Sequence, residues 1–347
     1  MKKVRVAVVG VTGVVGRTVL KVLEEEKLPI DEYILMASAR SAGKKIKFIG
    51  NEYEVQELTE HSFDEHIDYA IFSAGGATSK QFSPIAAKHG CVVIDNSNAF
   101  RMDKDVPLVV PEVNPEEITN NKGIIANPNC STIQAVVPLK ALDDKYIIKR
   151  IVYSTYQAVS GAGRYGVEDL ENGTENYREK KDEFDNINIA GSEQYDLKKF
   201  PYPIFNNCLP HIDVFEENGY TREEMKMVNE TRKISKHADL PVTATAVRVP
   251  IFNSHCESVN VELEKDFELE ELKQTLRNFE GIVVIDGKDE KSYPISTEVS
   301  GHNEVYVGRI RRDESVKSGV NLWIVADNIR KGAATNAIQI LKKLLEK

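Results

Sequence analysis

Cysteine is scarce in this chain of 347 residues. The four thiols, Cys91, Cys130, Cys208 and Cys256, stand far apart and form no CxxC pair or Cys/His ligand cluster. Neither a zinc site nor a disulfide framework is suggested, so no metal is expected, and the thiols are expected to be reduced and the protein cytoplasmic. Long apolar runs are missing as well, none approaching the roughly 18 to 20 residues that cross a bilayer. Lys2, Lys3 and Arg5 before an apolar stretch imitate a signal peptide, but Arg17, Lys21 and Glu24 to Glu26 intervene, and targeting is rejected. Positive charge is not in surplus either: 45 Lys and Arg face 54 Asp and Glu, a formal charge of −9. Without a dominant basic run the chain lacks the electrostatic footprint of a nucleic-acid partner.

What is present is ordinary globular material, 41% hydrophobic and 29% charged, which excludes disorder over most of the length. At roughly 150 residues per domain, about two domains are expected. Val4 to Val9, bounded by Gly10, reads as a buried parallel strand. Val15, Val19, Val22 and Leu23 then fall at helical spacing. Tyr33 to Ser38, Asp68 to Ser73, Cys91 to Asp95, Leu108 to Val110 and Gly123 to Ala126 continue as strands, with a helical pattern at Ser83 to His89. This alternation predicts an α/β, Rossmann-like, doubly wound parallel sheet. After a helix over Ser131 to Leu142, the runs Arg150 to Ser160, Val242 to Ile251 and Val259 to Leu263 alternate with period two, predicting an antiparallel sheet in a second α+β domain. Glu171 to Asn188 reads as surface loop or exposed helix. Leu269, Leu272, Leu276 and Phe279 mark a helix, Asn321 to Ala326 a strand, and Gly332 to Leu345 a closing amphipathic helix.

Four local patterns could carry chemistry. Gly10-Val11-Thr12-Gly13-Val14-Val15-Gly16 joins the first strand to the first helix, where backbone amides can hold a pyrophosphate. It is GxxGxxG rather than GxGxxG, and a plain strand-to-helix turn is the alternative. Where an NAD site commonly places Asp or Glu after its second strand, this chain has Ser38-Ala39-Arg40-Ser41. Hydroxyls and a guanidinium suit a 2′-phosphate, so NADP is expected over NAD, a solvated loop arginine being the other reading. Asn127-Pro128-Asn129-Cys130-Ser131-Thr132 places Cys130 at a helix N-terminus. The helix dipole there favours thiolate, and adjacent amides could cradle an oxyanion. A buried structural cysteine is the alternative. Arg248-Val249-Pro250-Ile251-Phe252-Asn253-Ser254-His255 pairs a cation with an imidazole, though a lone strand-end histidine is more often a satisfied core or surface residue.

In NPNCST around Cys130, YQAVSGAG around Gln157, RVP with His255 seven residues after Arg248, and DNIRKGAATNA near the end, the chain resembles the aspartate-β-semialdehyde dehydrogenases over nearly its whole length. The resemblance implies NADPH-dependent reductive dephosphorylation of L-aspartyl-β-phosphate to the semialdehyde, on the route to lysine, threonine and methionine. It implies Cys130 as nucleophile and thioester carrier, His255 as general acid/base and Gln157 as the group orienting the thioester. The implied cofactor contacts are Gly10, Thr12, Gly13, Val14, Val15, Gly16, Ser38, Arg40, Ser41, Ser73, Gly75, Ser160, Gly161 and Asn328. For the substrate and its phosphate it implies Arg101, Asn129, Glu223, Lys226 and Arg248, with Glu224 a competing frame for Glu223. Arg248 would grip the α-carboxylate with its planar fork.

The resemblance further implies an NADP-binding domain of residues 1–130 plus 328–347, a catalytic and dimerisation domain of 131–327, and a homodimer or dimer of dimers. Three alternatives remain at this point. An N-acetyl-γ-glutamyl-phosphate reductase would have no use for an amine-binding carboxylate and usually reads NPGCY where this chain reads NPNCS. A Cys/His hydrolase or acyltransferase would make the glycine loop accidental. A regulator without catalysis would be expected to have lost one of Cys130, Gln157, Arg248 and His255.

Overall fold

The computed structural model describes residues 3–180 and 196–346. Its first sheet grows from β1 (Arg5–Val9), whose small and β-branched side chains are buried on both faces. Alternation along the strand sends Val6 and Val8 into one core and Ala7 and Val9 into another. The first core is closed by α1 (Val14–Glu26), through Val19, Val22 and Leu23, and by the final helix Asn336–Leu345, through Ala337, Ile338 and Leu341. Each of these Val, Leu and Ile side chains contributes about 1.5 to 3 kcal/mol on full burial.

β2 (Glu32–Ala37) pairs with β1; a hairpin of β3 (Lys45–Phe48) and β4 (Asn51–Glu54) lies apart, and β5 (Gln56–Glu57) forms the edge. β6 (Tyr69–Phe72), β7 (Val92–Asp95) and β8 (Ile124–Ala126) complete a parallel sheet of order β5-β2-β1-β6-β7-β8. α2 (Gly76–Lys88) lies on the second face, tied by Ser79 Oγ donating to Asp95 Oδ1 at 2.6 Å.

α3 (Cys130–Tyr146) leaves this sheet and is buried along most of its length against the second one. That sheet has the order β10-β9-β11-β14-β13-β12, from β9 (Ile148–Gln157), β10 (Val242–Arg248), β11 (His255–Leu263), β12 (Ile282–Val284), β13 (Val305–Asp313) and β14 (Gly319–Ala326). α4 (Arg164–Lys180), α5 (Arg222–Ile234), α6 (Leu269–Arg277) and α7 (Ser296–Val299) accompany it, and Asn336–Leu345 is α8.

Several sequence expectations need correction. The second sheet is mixed rather than antiparallel, because β10 runs parallel to β9, and β12 parallel to β13. The connection from β9 to β10 includes α4 and α5, the long crossover a parallel neighbour requires. Leu108 to Val110 makes only one isolated bridge, Leu108 to Ala126. There the side chain of Asn114 accepts from Val110 N–H and donates to the Leu108 carbonyl, occupying groups a strand would use. The helix expected from Ser83 begins at Gly76 and carries Pro84 inside it. The closing helix opens with a wide π-helical turn over Arg330–Thr335. Glu171 to Asn188 continues α4 as far as Lys180; the remainder of that stretch lies outside the described residues.

Candidate active site

Cys130 is the first residue of α3, and Asn129 is its cap. Asn129 Oδ1 accepts from the backbone N–H of Ser131 at 3.0 Å and of Thr132 at 3.3 Å. Two of the amides next to Cys130 are therefore engaged by the cap, as asparagine's preference for that position dictates. Burial, then the charge of Glu223, pushes the Cys130 thiol up to about 12, against the opposing pull of Arg248, Arg101 and Lys226. Burial and the Glu223 carboxylate thus work against the thiolate that a helix start favours, while Arg248, Arg101 and Lys226 work for it.

Cys130 Sγ lies 3.3 Å from His255 Nε2. His255 is fully buried, and its Nδ1 accepts the Ala158 backbone N–H at 3.0 Å. An amide can only donate, so the neutral ring carries its proton on Nε2, facing the sulfur. Burial, then Arg248, holds the imidazole well below its usual titration range. Ser254, just before His255, adopts the left-handed φ of 70° and is held there by its N–H to Asn328 Oδ1 at 2.9 Å.

Strand register gathers the other groups. Arg248 is opposite Gln157 in β10 and β9, and His255 stands one position beyond the Cys256–Tyr156 pair of β11 and β9. Arg248, Gln157 and His255 thus form a row on the buried face, whereas Tyr156 is 39% exposed on the other. Arg248 Nη1 donates to the Ala158 carbonyl at 2.5 Å, and Gln157 Nε2 donates to Thr155 Oγ1 at 3.2 Å.

On α5, Glu223 Oε1 accepts from Asn129 Nδ2 at 2.9 Å and Oε2 from Lys226 Nζ at 3.0 Å. Burial opposes ionisation of Glu223, yet Lys226 and Asn129 hold its carboxyl below the usual range. Glu224 faces elsewhere: it forms a capping box with Thr221 and accepts the Ala246 N–H at 2.9 Å. Arg101, 8% exposed, donates to the carbonyls of Asn127 and Asn96 and to Glu230.

These groups open onto a cleft of about 960 Å³ running between the two sheets. Of the expected residues, Gly13, Val14, Val15, Ser73, Gly75, Arg101, Asn129, Cys130, Gln157, Ser160, Gly161, Glu223, Lys226, Arg248 and Asn328 line it. Gly10 and Gly16 are not on its wall but allow close packing: a Cβ would meet the Ser73 carbonyl at 2.4 Å from Gly10, and the Gly10 carbonyl at 2.3 Å from Gly16. Thr12 and Ser41 join hydroxyls at 3.3 Å beside the glycine loop, next to Ser38 and Arg40. The caps of α1 and α2 are Gly13 and Gly75, neither with a side-chain capping bond. Uncapped first-turn amides at a cleft suit a dinucleotide pyrophosphate. Asn328 Nδ2 donates to Ser160 Oγ at 3.0 Å, linking the closing segment to the cleft.

Sequence reasoning missed Gly332, whose added Cβ would stand 2.8 Å from that of Cys130, and Glu230, which is 1% exposed. Among the described residues, no group of three or more His, Cys, Asp or Glu is placed to hold a metal, and no helix is long and apolar enough to cross a membrane.

Two family models match the chain: the semialdehyde dehydrogenase NAD binding domain over residues 5–121 and the semialdehyde dehydrogenase dimerisation domain over 139–331. An aspartate-semialdehyde dehydrogenase of Aquifex aeolicus (strain VF5) is 54% identical, covering 99% of this chain and 98% of its own. The crystal structure of aspartate semialdehyde dehydrogenase II from Vibrio cholerae, complexed with ASA, superposes with a TM-score of 0.91 at 45% identity, over 100% of this chain and 99% of that one. That of the Candida albicans enzyme with NADP gives 0.73 at 25%, over 99% and 98%. Cysteine, guanidinium and glycine loop thus meet in one cleft, with the buried imidazole of His255 behind the cysteine, within a chain that belongs to the aspartate-semialdehyde dehydrogenase family.

Proposed function

We propose that the chain catalyses NADPH-dependent reductive dephosphorylation of L-aspartyl-β-phosphate to L-aspartate-β-semialdehyde through a thioester on Cys130, in a cytoplasmic homodimer or dimer of dimers supplying lysine, threonine and methionine synthesis. The observation that carries the reading is the 3.3 Å approach of Cys130 Sγ to His255 Nε2 on a cleft also lined by uncapped helix N-termini. Residues 1–130 with 328–347 act as the nucleotide domain and 131–327 as the catalytic and dimerisation domain; the packing of α8 against β1 and α1 supports this division.

Gly13, Val14, Val15, Ser73, Gly75, Ser160, Gly161 and Asn328 hold the dinucleotide, with Gly10 and Gly16 shaping the loop and Thr12, Ser38, Arg40 and Ser41 at its 2′-phosphate. Bound NADPH supplies the hydride. The Cys130 thiol gives its proton to the departing phosphate as its sulfur attacks the acyl carbon and the carbon to phosphate-oxygen bond breaks; once the thioester carbon is reduced, the carbon–sulfur bond breaks and the aldehyde leaves Cys130 as thiolate. His255 serves as general acid/base, its Nε2–H facing that sulfur, while Gln157 orients the acyl group. Arg248 grips the α-carboxylate, Glu223 the ammonium, and Lys226, Asn129 and Arg101 the phosphate side. Phosphate carries about two negative charges, which this acidic chain meets by concentrating cations locally.

A carboxylate at Glu223 favours a free amino group over an N-acylated one, which supports aspartyl phosphate over N-acetylglutamyl phosphate. The test is phosphate-dependent NADPH formation from aspartate semialdehyde. Cys130→Ala should abolish it with cofactor affinity nearly unchanged; persistent turnover would discard the covalent route.

A further inference from the structure

α5 carries a second carboxylate two turns after Glu223, on the same helical face. Glu230 Oε1 accepts from Arg101 Nη1 at 3.0 Å, and its Oε2 accepts the backbone N–H of Asn129 at 2.6 Å. We infer that Glu230 is a positioning residue: by holding Arg101 and the residue before Cys130 on one carboxylate, it sets the distance between the phosphate-binding guanidinium and the nucleophilic sulfur. The inference rests on the roles proposed above for Arg101 and Cys130.

Arg101 needs such a hold because it lies in the connection between β7 and β8, outside both sheets. Its Nε and Nη2 donate to the carbonyls of Asn127 at 2.9 Å and Asn96 at 3.1 Å, and the residue still lines the cleft. Lys233, one turn beyond Glu230, grips the same connection by its backbone: Nζ donates to the carbonyls of Arg101, Asp103 and Val106 at 2.7, 2.8 and 2.8 Å. One helix therefore presents Glu223 and Lys226 to the cleft and uses Glu230 and Lys233 to fix the anion-binding connection. Burying an ion pair is weak evidence of stabilisation, since desolvation offsets the attraction. Alignment is the stronger account: a misplacement of about 1 Å at a reacting centre can cost on the order of 100-fold in rate.

The experiment is steady-state kinetics of Glu230→Gln, with inorganic phosphate and NADP varied separately in the oxidation of aspartate semialdehyde. Glutamine offers one acceptor oxygen where Glu230 offers two, so it cannot hold both donors. The KM for phosphate should rise about tenfold or more and kcat should fall, with the KM for NADP unchanged. In an Arg101→Lys background the loss from Glu230→Gln should shrink, because both changes act through one guanidinium. A folded Glu230→Gln chain with wild-type kcat and phosphate KM, or strictly additive losses, would overturn the inference. If Glu230→Gln fails to fold, Glu230→Asp, too short to span both donors, is read in the same way; a chain that folds with neither makes Glu230 a fold residue and also overturns it. Failure of the underlying reading looks different: wild-type protein without phosphate-dependent activity, or an active Cys130→Ala.

Discussion

The backbone N–H of Ala158 donates to Nδ1 of His255 at 3.0 Å, which turns the protonated Nε2 toward Cys130. For the ring to accept the thiol proton at Nε2, its own proton would have to move to Nδ1, where the amide already points. The neutral Nε2–H form is therefore favoured. Nitrogen-15 NMR of labelled histidine should show Nδ1 unprotonated, and a protonated Nδ1 at neutral pH would refute the assignment. The folded state holds the His255 pKa down, whereas an unfolded histidine titrates near about 6.5. The stability from this neutral ring is present above that pH and is lost as pH falls below it. Urea unfolding should show a steeper acid loss for wild type than for His255→Asn.

Glu223 raises the thiol pKa of Cys130, and the proposed substrate ammonium would cancel that charge. Substrate binding should therefore help to ionise the sulfur. In a Cys208→Ser background, which removes the exposed thiol, Glu223→Gln should increase the rate of iodoacetamide alkylation at pH 8 while lowering turnover. Alkylation that slows would show that Glu223 does not oppose thiolate formation.

Gly332 meets Cys130 so closely that a methyl group cannot be added without movement. Gly332→Ala should fold with a loss of about 1 to 3 kcal/mol and lose most of its turnover, because the displacement falls on Cys130, the proposed nucleophile. Thermal unfolding and kcat, measured together, check this; unchanged kcat would mean that the π-helical turn yields instead.

Arg248 is fixed through Nη1 to the Ala158 carbonyl. Arg248→Lys keeps the charge but loses the fork, so the KM for aspartate semialdehyde should rise more than tenfold, about the loss of one charged hydrogen bond, with the KM for NADP little changed. A full-rate lysine variant would discredit the carboxylate role.

Local signals were the legible ones. The glycine loop and the turn around Cys130 could be read directly because cap, glycine and helix start lie within a few residues of one another. A capping box, Thr221 with Glu224, also stood in the sequence and would have announced α5. It would have separated Glu223 from Glu224 too, since the box consumes Glu224. The parallel placement of β10 was hidden, because period-two patterning reports burial of a face and not strand direction. Glu230 was invisible for a similar reason: its partners are 129 and 101 positions away along the chain. The thiol's protonation could not be read from the helix start alone, since burial and Glu223 enter only once the chain is folded.

The row of Arg248, Gln157 and His255 depends on three strands keeping step. Sliding any one of them by a single residue would turn its functional side chain to the opposite surface of the sheet. The proposed chemistry is therefore indexed to pairing: a chain with the right strands in the wrong alignment would retain its secondary structure and lose the assembled row.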